Sequence, residues 1–499
     1  MPSRKDIFMK SIRNSAVLFI MLLFLNASGR AQTHQDTASE RTSVSITVYN
    51  ENLSLIREER TINFEKGTGS VVVPDIPSTI DGTSLHFLSL TDPQGVKVLE
   101  QNYEYDLVSQ AKLLQKYVGK EVEFVRLNEE TKQEYTVKGE LISSGWGRES
   151  GLVAEINGKI ELNPAGHMVL PSLPEGLVLK PQLEWLVSSD NSGDQKTEIS
   201  YLAGGFMWSA DYVALIDTSN TRLDLTGWVT LTNNSGTSFH DAGLKLVAGD
   251  VNVVRPQFNR AMKSTMQLQM GAVEEQQFKQ TDLFEYKLYT LQRHTDLDND
   301  ETKQVELVSG KNVAAQKLLV YDGVADQWRN WYGSYDYASK QSFGQQSNNK
   351  VGVYIVFRND EKSGLGLPLP KGKIRVYQRD EDQKEQFIGE DQIDHTPKDE
   401  EIKLYLGNAF DVVGGRAQIN FKSYADGKLI EETIQIKIRN HKKEPVDLLI
   451  YEHPWRGSNW EFVEGGEGWT KVDQTTIKYP VKLAKDEEKV VTYTIRYSW

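Results

Sequence analysis

Residues 223–233 alternate with a period of two. Leu223, Leu225, Gly227, Val229 and Leu231 fall on one side, and Asp224, Thr226, Trp228, Thr230 and Thr232 on the other. That pattern predicts a strand with one core face and one wetter face. Asn234-Ser235-Gly236 ends it, because Asn and Gly tolerate positive φ and short polar side chains bond local backbone. Two positions depart from a plain surface strand. Trp228 places a large apolar ring on the polar face, and Gly227 in a strand interior marks a bulge or the close approach of another group. The preceding run, Met207 to Ile216, is apolar on both faces. Trp208, Ala210, Tyr212, Ala214 and Ile216 line one, while Met207, Val213 and Leu215 share the other with Ser209 and Asp211. This predicts a central strand covered on both sides, with Asp211 as a partly buried carboxylate that needs donors.

Similar reading along the chain gives many short strands and little helix. Ser43 to Tyr49 and Leu53 to Arg57 form a hairpin across Asn50-Glu51-Asn52. Leu107, Ala111, Leu114 and Val118 recur at helical spacing behind Asp106 as cap, which gives one short helix near 106–118. Strands at 122–127, 135–142, 152–156 and 159–162, joined by tight turns, suggest a small SH3-like barrel, or a β-meander, over 119–163. The Pro-rich segment Pro164–Pro181 is its exit linker. Residues 256–280 and 325–350 break the pattern and read as long loops. Beyond Val351 strands alternate again. A strand runs into Asn at Val229–Asn233, Val353–Asn359 and Ile434–Asn440, each followed by a polar turn. These read as equivalent strand ends; the spacing is too uneven for a solenoid. The expected fold class is all-β: an N-terminal β domain (43–181) with the small barrel module, then a β-sandwich, immunoglobulin-like C-terminal half. A central sandwich would span 182–430, and strands over 431–499 would complete or follow it.

Composition adds a compartment. Arg4, Lys5, Lys10 and Arg13 precede the apolar run Ala16 to Leu25, and Gly29-Arg30-Ala31 offers a small-x-small cleavage site. Residues 1–31 therefore read as a secretory signal, too short in its apolar part to span a bilayer. The mature chain would begin at Gln32 and be exported: periplasmic, outer-membrane-associated or secreted. There is no cysteine, so neither disulfides nor a lipid-anchored Cys are available. Net charge is −13, and five basic residues and one acidic residue lie in 1–31, so the chain from Gln32 onward carries −17. Such a chain has no electrostatic footprint for nucleic acid. No segment after the leader is long and apolar enough to cross a membrane as a helix. The final alternation Val491, Tyr493, Ile495, Tyr497, Trp499 has the look of a barrel strand, but the charged turns and polar stretches elsewhere favour a last sandwich strand.

No nucleophile elbow, zinc helix motif, phosphate loop or dinucleotide fingerprint occurs. Asp296, Asp298 and Asp300 imitate the start of a calcium loop. Glu301 stands where that loop needs Gly, however, and Leu307 where it needs Glu, so a hairpin turn is the better reading. No metal or other cofactor is expected. The most chemical-looking stretch holds Glu390, Asp391, Asp394, His395, Asp399 and Glu400, a set able in principle to support acid–base work; a charged connection fixed by Pro397 is the better reading, because no second His lies at ligand spacing. Glu452-His453-Pro454-Trp455 reads as a strand end packed by its Trp. Among ten tryptophans and 21 tyrosines, most of the Trp sit in alternating strands and read as core; Trp228 is the exception, read first as a residue of the seam between the N-terminal and C-terminal halves and second as a ligand contact.

Tyr201-Leu202, Trp208-Ser209-Ala210-Asp211-Tyr212, Leu225-Thr226-Gly227-Trp228-Val229, Asn234-Ser235-Gly236 and Leu246-Val247-Ala248-Gly249-Asp250 together carry a family resemblance. Gly366-Leu367-Pro368-Leu369-Pro370, the 389–400 stretch, Ala409-Phe410-Asp411 and Asn440-His441-Lys442 extend it. On these residues the chain resembles the bacterial domain-of-unknown-function family numbered four thousand one hundred thirty-nine, which includes mucoidy-inhibitor-like relatives. The long coiled coil of those relatives is missing, so no coiled-coil role is implied. The expected function is non-catalytic: an exported cell-envelope protein that binds or scaffolds an envelope protein or a glycan, with Trp208, Asp211, Tyr212 and Trp228 as first contacts. The alternative is a glycan- or peptide-active hydrolase using Glu390–Glu400.

Overall fold

The computed structural model describes residues 40–145, 151–174, 176–249, 251–252, 277–325, 329, 340–341, 347–424 and 428–499. The expected leader and most of the loops at 256–280 and 325–350 lie outside the described residues. Strands β1 (Glu40–Tyr49), β2 (Leu53–Phe64), β3 (Gly67–Pro74), β4 (His86–Ser89) and β5 (Val96–Glu104) precede helix α1 (Gln110–Tyr117). Next come β6 (Glu121–Leu127), β7 (Glu134–Ser144), β8 (Leu152–Ile156), β9 (Lys159–Leu162), β10 (His167–Val169), β11 (Gln182–Ser189) and β12 (Gly193–Ala203). They are followed by β13 (Phe206–Ile216), β14 (Arg222–Asn233), β15 (Phe239–Ala248), β16 (Phe278–Leu283), β17 (Tyr286–Leu291), β18 (Thr295–Leu297) and β19 (Glu301–Asp322). The rest are β20 (Lys350–Arg358), β21 (Gly372–Arg379), β22 (Glu385–Ile393), β23 (Glu401–Tyr424), β24 (Leu429–Asn440), β25 (Val446–Glu452), β26 (Trp460–Glu464), β27 (Thr470–Lys471), β28 (Ile477–Leu483) and β29 (Glu488–Ser498). The fold is all-β and sandwich-like, and α1 is short. Among the described residues no helix is long and apolar enough to cross a membrane.

The chain divides into two compact units. One holds residues up to Ser43 and Arg57–Tyr201; the other holds Val44–Ile56 and Leu202–Trp499. In the first unit β11 lies between β3 and β5, antiparallel to both. Residues 182–189 are therefore part of this unit, and the boundary expected after 181 falls after 201. The small module is an antiparallel sheet in the order β10-β6-β7-β8-β9. β9 and β10 are its two edges, so it is an open meander along its pairing path. Val122, Phe124, Leu141, Ala154 and Ile156 form its core with Tyr117 from α1. Ser109 caps that helix by accepting the Lys112 N–H, whereas Asp106 pairs with the Lys112 ammonium at 2.6 Å. The alternation of β2 buries Glu58 and Arg60 beside Ile62 and Phe64. The Glu58 carboxylate is closed by Arg60 Nη2 at 2.6 Å, Tyr201 Oη at 2.6 Å and Arg41 Nη2 at 3.2 Å.

The second unit shows what the three asparagines do. Asn233, Asn359 and Asn440 are all buried. Each donates both amide hydrogens to backbone carbonyls: Asn233 to Thr237 and Leu297, Asn359 to Leu367 and Pro397, Asn440 to Glu444 and Ala484. Each also accepts a backbone N–H on Oδ1, from Ser235, Gly366 and Lys442 respectively. Opposite each lies a turn with an Asp at positive φ, Asp300, Asp399 and Asp486. The next strand then returns antiparallel to the Asn strand, giving the pairs β14–β19, β20–β23 and β24–β29. The echo in the sequence is thus a structural device used three times.

Two strands tie these repeats together. β19 pairs with β14 through its first half and with β20 through its second. β23 likewise pairs with β20 and then with β24. The strand after each asparagine runs parallel to an earlier strand, β15 beside β1, β21 beside β13 and β25 beside β19. Residues 431–499 accordingly complete the sheet. The core they join contains Leu319, Tyr321, Val351, Val412 and Ile430 together with Ile434, Ile436, Ile438, Val491, Tyr493, Ile495 and Tyr497.

That core also contains charges. Arg416 Nε donates to Glu452 at 2.9 and 3.0 Å, and Tyr493 Oη adds a third bond at 2.7 Å. Glu432 accepts from Arg456 Nε and Gln418 Nε2, both at 2.9 Å, and from Tyr497 Oη at 3.0 Å. The Arg456 guanidinium lies 4.4 Å from the Trp455 ring centre. Burial pushes the Glu432 carboxyl up, but Arg456 and Arg416 outweigh it and hold the group below the ordinary glutamate value of 4.5.

A carboxyl held below its unfolded value stabilises the fold above pH 4.5 and loses that contribution as pH falls through its folded value. Glu432→Gln should flatten this acid limb and cost about 3–5 kcal/mol at neutral pH, because Arg456 is left buried without its carboxylate. Urea unfolding across the acid range measures both. Alanine at Asn233, Asn359 or Asn440 should cost about 1–3 kcal/mol each, since buried carbonyls lose their donors. At Gly227 an added Cβ would stand 2.8 Å from the Tyr212 ring and 2.9 Å from Val308. Gly227→Ala should therefore destabilise by about 1–3 kcal/mol.

Candidate functional site

Strand parity divides the expected contact residues. Trp208 and Tyr212 point with Ala210, Ala214 and Ile216 into the core. Tyr212 Oη donates to the Pro370 carbonyl at 2.8 Å, and Gly227 leaves room for its ring. Asp211 and Trp228 face the other way and stand opposite each other in the β13–β14 register. That second face of β13 is not covered as expected. Met207 is 48% exposed and Ser209 is exposed, because neighbouring strands flank β13 on both edges while a packed layer covers only one face.

On the open face a polar row crosses five strands. Gln304 Nε2 on β19 donates to Thr230 Oγ1 at 3.1 Å, and Thr230 Oγ1 on β14 donates to Asp211 Oδ2 at 3.1 Å. Arg375 on β21 lies 3.6 Å from Asp211 and 3.5 Å from Glu390 on β22; Lys373 lies 3.1 Å from Glu390. The Arg375 contacts are longer than the roughly 2.7–2.9 Å of a tight charge-assisted bond. Its fork of donors is therefore only loosely engaged and can turn to a ligand. Trp228 sits half-buried beside this row, between Asp211 and Glu306 in register.

The same face ends in a cavity of about 430 Å³, lined by Leu215, Ile216, Leu223, Asp217, Thr218, Arg222, Asp224, Asn312, Arg379 and Gln383. Turns shape it. The Asp217 carboxylate accepts the N–H groups of Thr221 and Arg222 and the hydroxyl of Ser219. Slight burial pushes its pKa up, and these bonds more than offset that and hold it below the ordinary value. Asp224 Oδ1 accepts the Asn312 N–H at 2.7 Å, and Arg222 Nη1 donates to the Asn312 carbonyl at 3.3 Å.

The residues of 390–400 make separate contacts. Glu390 joins the row above. Asp391 accepts the Tyr405 N–H at 2.7 Å, while Asp399 and Glu400 offer backbone carbonyls to Arg358 and Asn359. Asp394 is exposed and offers its carbonyl to Thr396, and His395 Nδ1 accepts the Lys371 N–H at 3.1 Å. Among the described residues no group of three or more His, Asp or Glu is placed to hold a metal ion. Sequence reading missed Lys373, Arg375, Thr230, Gln304 and the cavity arginines. Parity along β21 could have placed Lys373 and Arg375 on one face, but the parallel register with β13 has no local signal.

Comparison with protein-family models gives no match, and neither does comparison with curated proteins.

The row predicts its own energetics. Its long, part-exposed pairs contribute little to stability, about 0–1 kcal/mol. Arg375→Ala should leave the urea midpoint nearly unchanged; a loss of several kcal/mol would make the row a structural brace instead of a contact surface.

Proposed function

We propose that this chain is an exported, non-catalytic cell-envelope protein that binds an envelope protein or glycan through the open face around Trp228. The observation that carries the reading is the polar row Gln304–Thr230–Asp211–Arg375–Glu390–Lys373 beside a half-buried indole. A solvent-facing sheet built only for solubility needs neither an aromatic ring nor loosely held charges. His395 Nδ1 and the Asp391 carboxylate each accept a backbone N–H, which supports a structural connection over the hydrolase alternative. We propose the family membership on the residues quoted above, and the leader at 1–31 on its charge and apolar pattern.

Two measurements test the proposal. The secreted product should begin at Gln32; an unprocessed N-terminus removes the export half. The mature protein should co-sediment with isolated cell-envelope material, and Trp228→Ala or Arg375→Ala should lower the retained fraction several-fold. Equal recovery of all three forms would remove this face as the binding site.

A further inference from the structure

We propose that the cavity at the end of the open face holds one unit of a neutral oligosaccharide, and that Trp228 stacks a neighbouring unit of the same chain. The inference rests on the binding reading above and names its ligand class.

The charge of the lining argues first. Arg222 and Arg379 are matched by Asp217 and Asp224, so the walls present no net field to an anion or a cation. Asp217 is engaged by its own turn, but Arg222, Arg379 and Asp224 have spare directional capacity. A guanidinium carries five N–H donors, yet among the described residues Arg222 makes one side-chain hydrogen bond, at 3.3 Å, and Arg379 meets Glu385 at 3.6 Å. Asp224 uses one carboxylate oxygen, for the Asn312 N–H. A sugar hydroxyl both donates and accepts. Vicinal hydroxyls can therefore bond a guanidinium and a carboxylate at once, where a simple ion would be attracted by one pair and repelled by the other. The amide of Gln383 and the hydroxyl of Thr218 add further capacity, and the half-buried Leu215 offers apolar surface to the C–H face of a pyranose.

Continuity with the face argues next. At about 430 Å³ the cavity is near the small end of ligand pockets, roughly 300–1,000 Å³. Asp224 and Trp228 lie on the same face of β14, four residues apart, which is about 13 Å at 3.3 Å per residue. Val213, Thr226 and Leu215 line the way between them. One ring in the cavity and one on the indole thus call for a linear chain of several units instead of a free monosaccharide.

The test is calorimetry on the full mature chain, with neutral hexasaccharides of β-1,4-, β-1,3- and α-1,4-linked glucose and β-1,4-linked mannose as probes. A hexauronate serves as the ionic comparison. At least one neutral hexamer should bind at millimolar concentration or below. Arg379→Ala, Arg222→Ala and Trp228→Ala should each weaken it about tenfold or more, the size of one or two lost hydrogen bonds or a lost stack. Circular dichroism and urea midpoints check that each variant folds; all three residues lie outside the buried core, and three separate variants keep the test open if one misfolds. The inference fails if no neutral hexamer binds, if the hexauronate binds more tightly, or if the cavity variants bind as the parent does. Envelope retention that depends on Trp228 without any hexamer binding would overturn this inference and leave the binding reading standing. Loss of both would overturn both.

Discussion

A charge placed on the core side of a strand must arrive with its partners, because an uncompensated buried charge costs several kcal/mol. Both units of this protein are built around that constraint. In the first, Glu58 sits on the buried parity of β2 and is closed by two arginines and a tyrosine. In the second, Glu432 and Glu452 each receive one arginine and one tyrosine, with Gln418 completing the first set. Such closed sets fix strand register more sharply than aliphatic packing does, since a one-residue slip would expose the aliphatics and break every ionic contact together.

Register in turn decides where chemistry can sit. Trp208 and Tyr212 are consumed by the core, and Gly227 is shaped to receive the Tyr212 ring. The opposite parity of the same strands is more open, and there Asp211, bonded to the buried Thr230, meets Arg375 of β21, which reaches Glu390 of β22. The two clusters expected from sequence prove to be neither separate nor whole. Asp211 comes from one and Glu390 from the other, and Arg375 joins them.

Much of this fold was legible in the alternation. The strands of residues 199–254, the hairpin at 43–57, the short helix and the three asparagine strand ends all follow from periodicity and turn chemistry. The buried ion sets were legible too, though only in retrospect. Ile56, Glu58, Arg60, Ile62 and Phe64 share one parity, as do Ile430, Glu432 and Ile434, so a charge within an apolar series is the signal. The cap at Ser109 instead of Asp106 turns on a three-residue shift that spacing alone does not settle. The open face of β13 was misread because an apolar count on both parities cannot separate a strand covered by a layer from one merely flanked by neighbours. The row was illegible because it depends on a parallel pairing between residues 162 positions apart, and no local pattern encodes that.

The 24 residues of β23 run about 80 Å at 3.3 Å per residue, and its two halves are bonded to different partners. A continuous backbone shared in this way gives the second unit a mechanical character. Tension applied at one end of β23 is carried along the strand and loads its hydrogen bonds to β20 and β24 in shear, many at once, instead of peeling them singly.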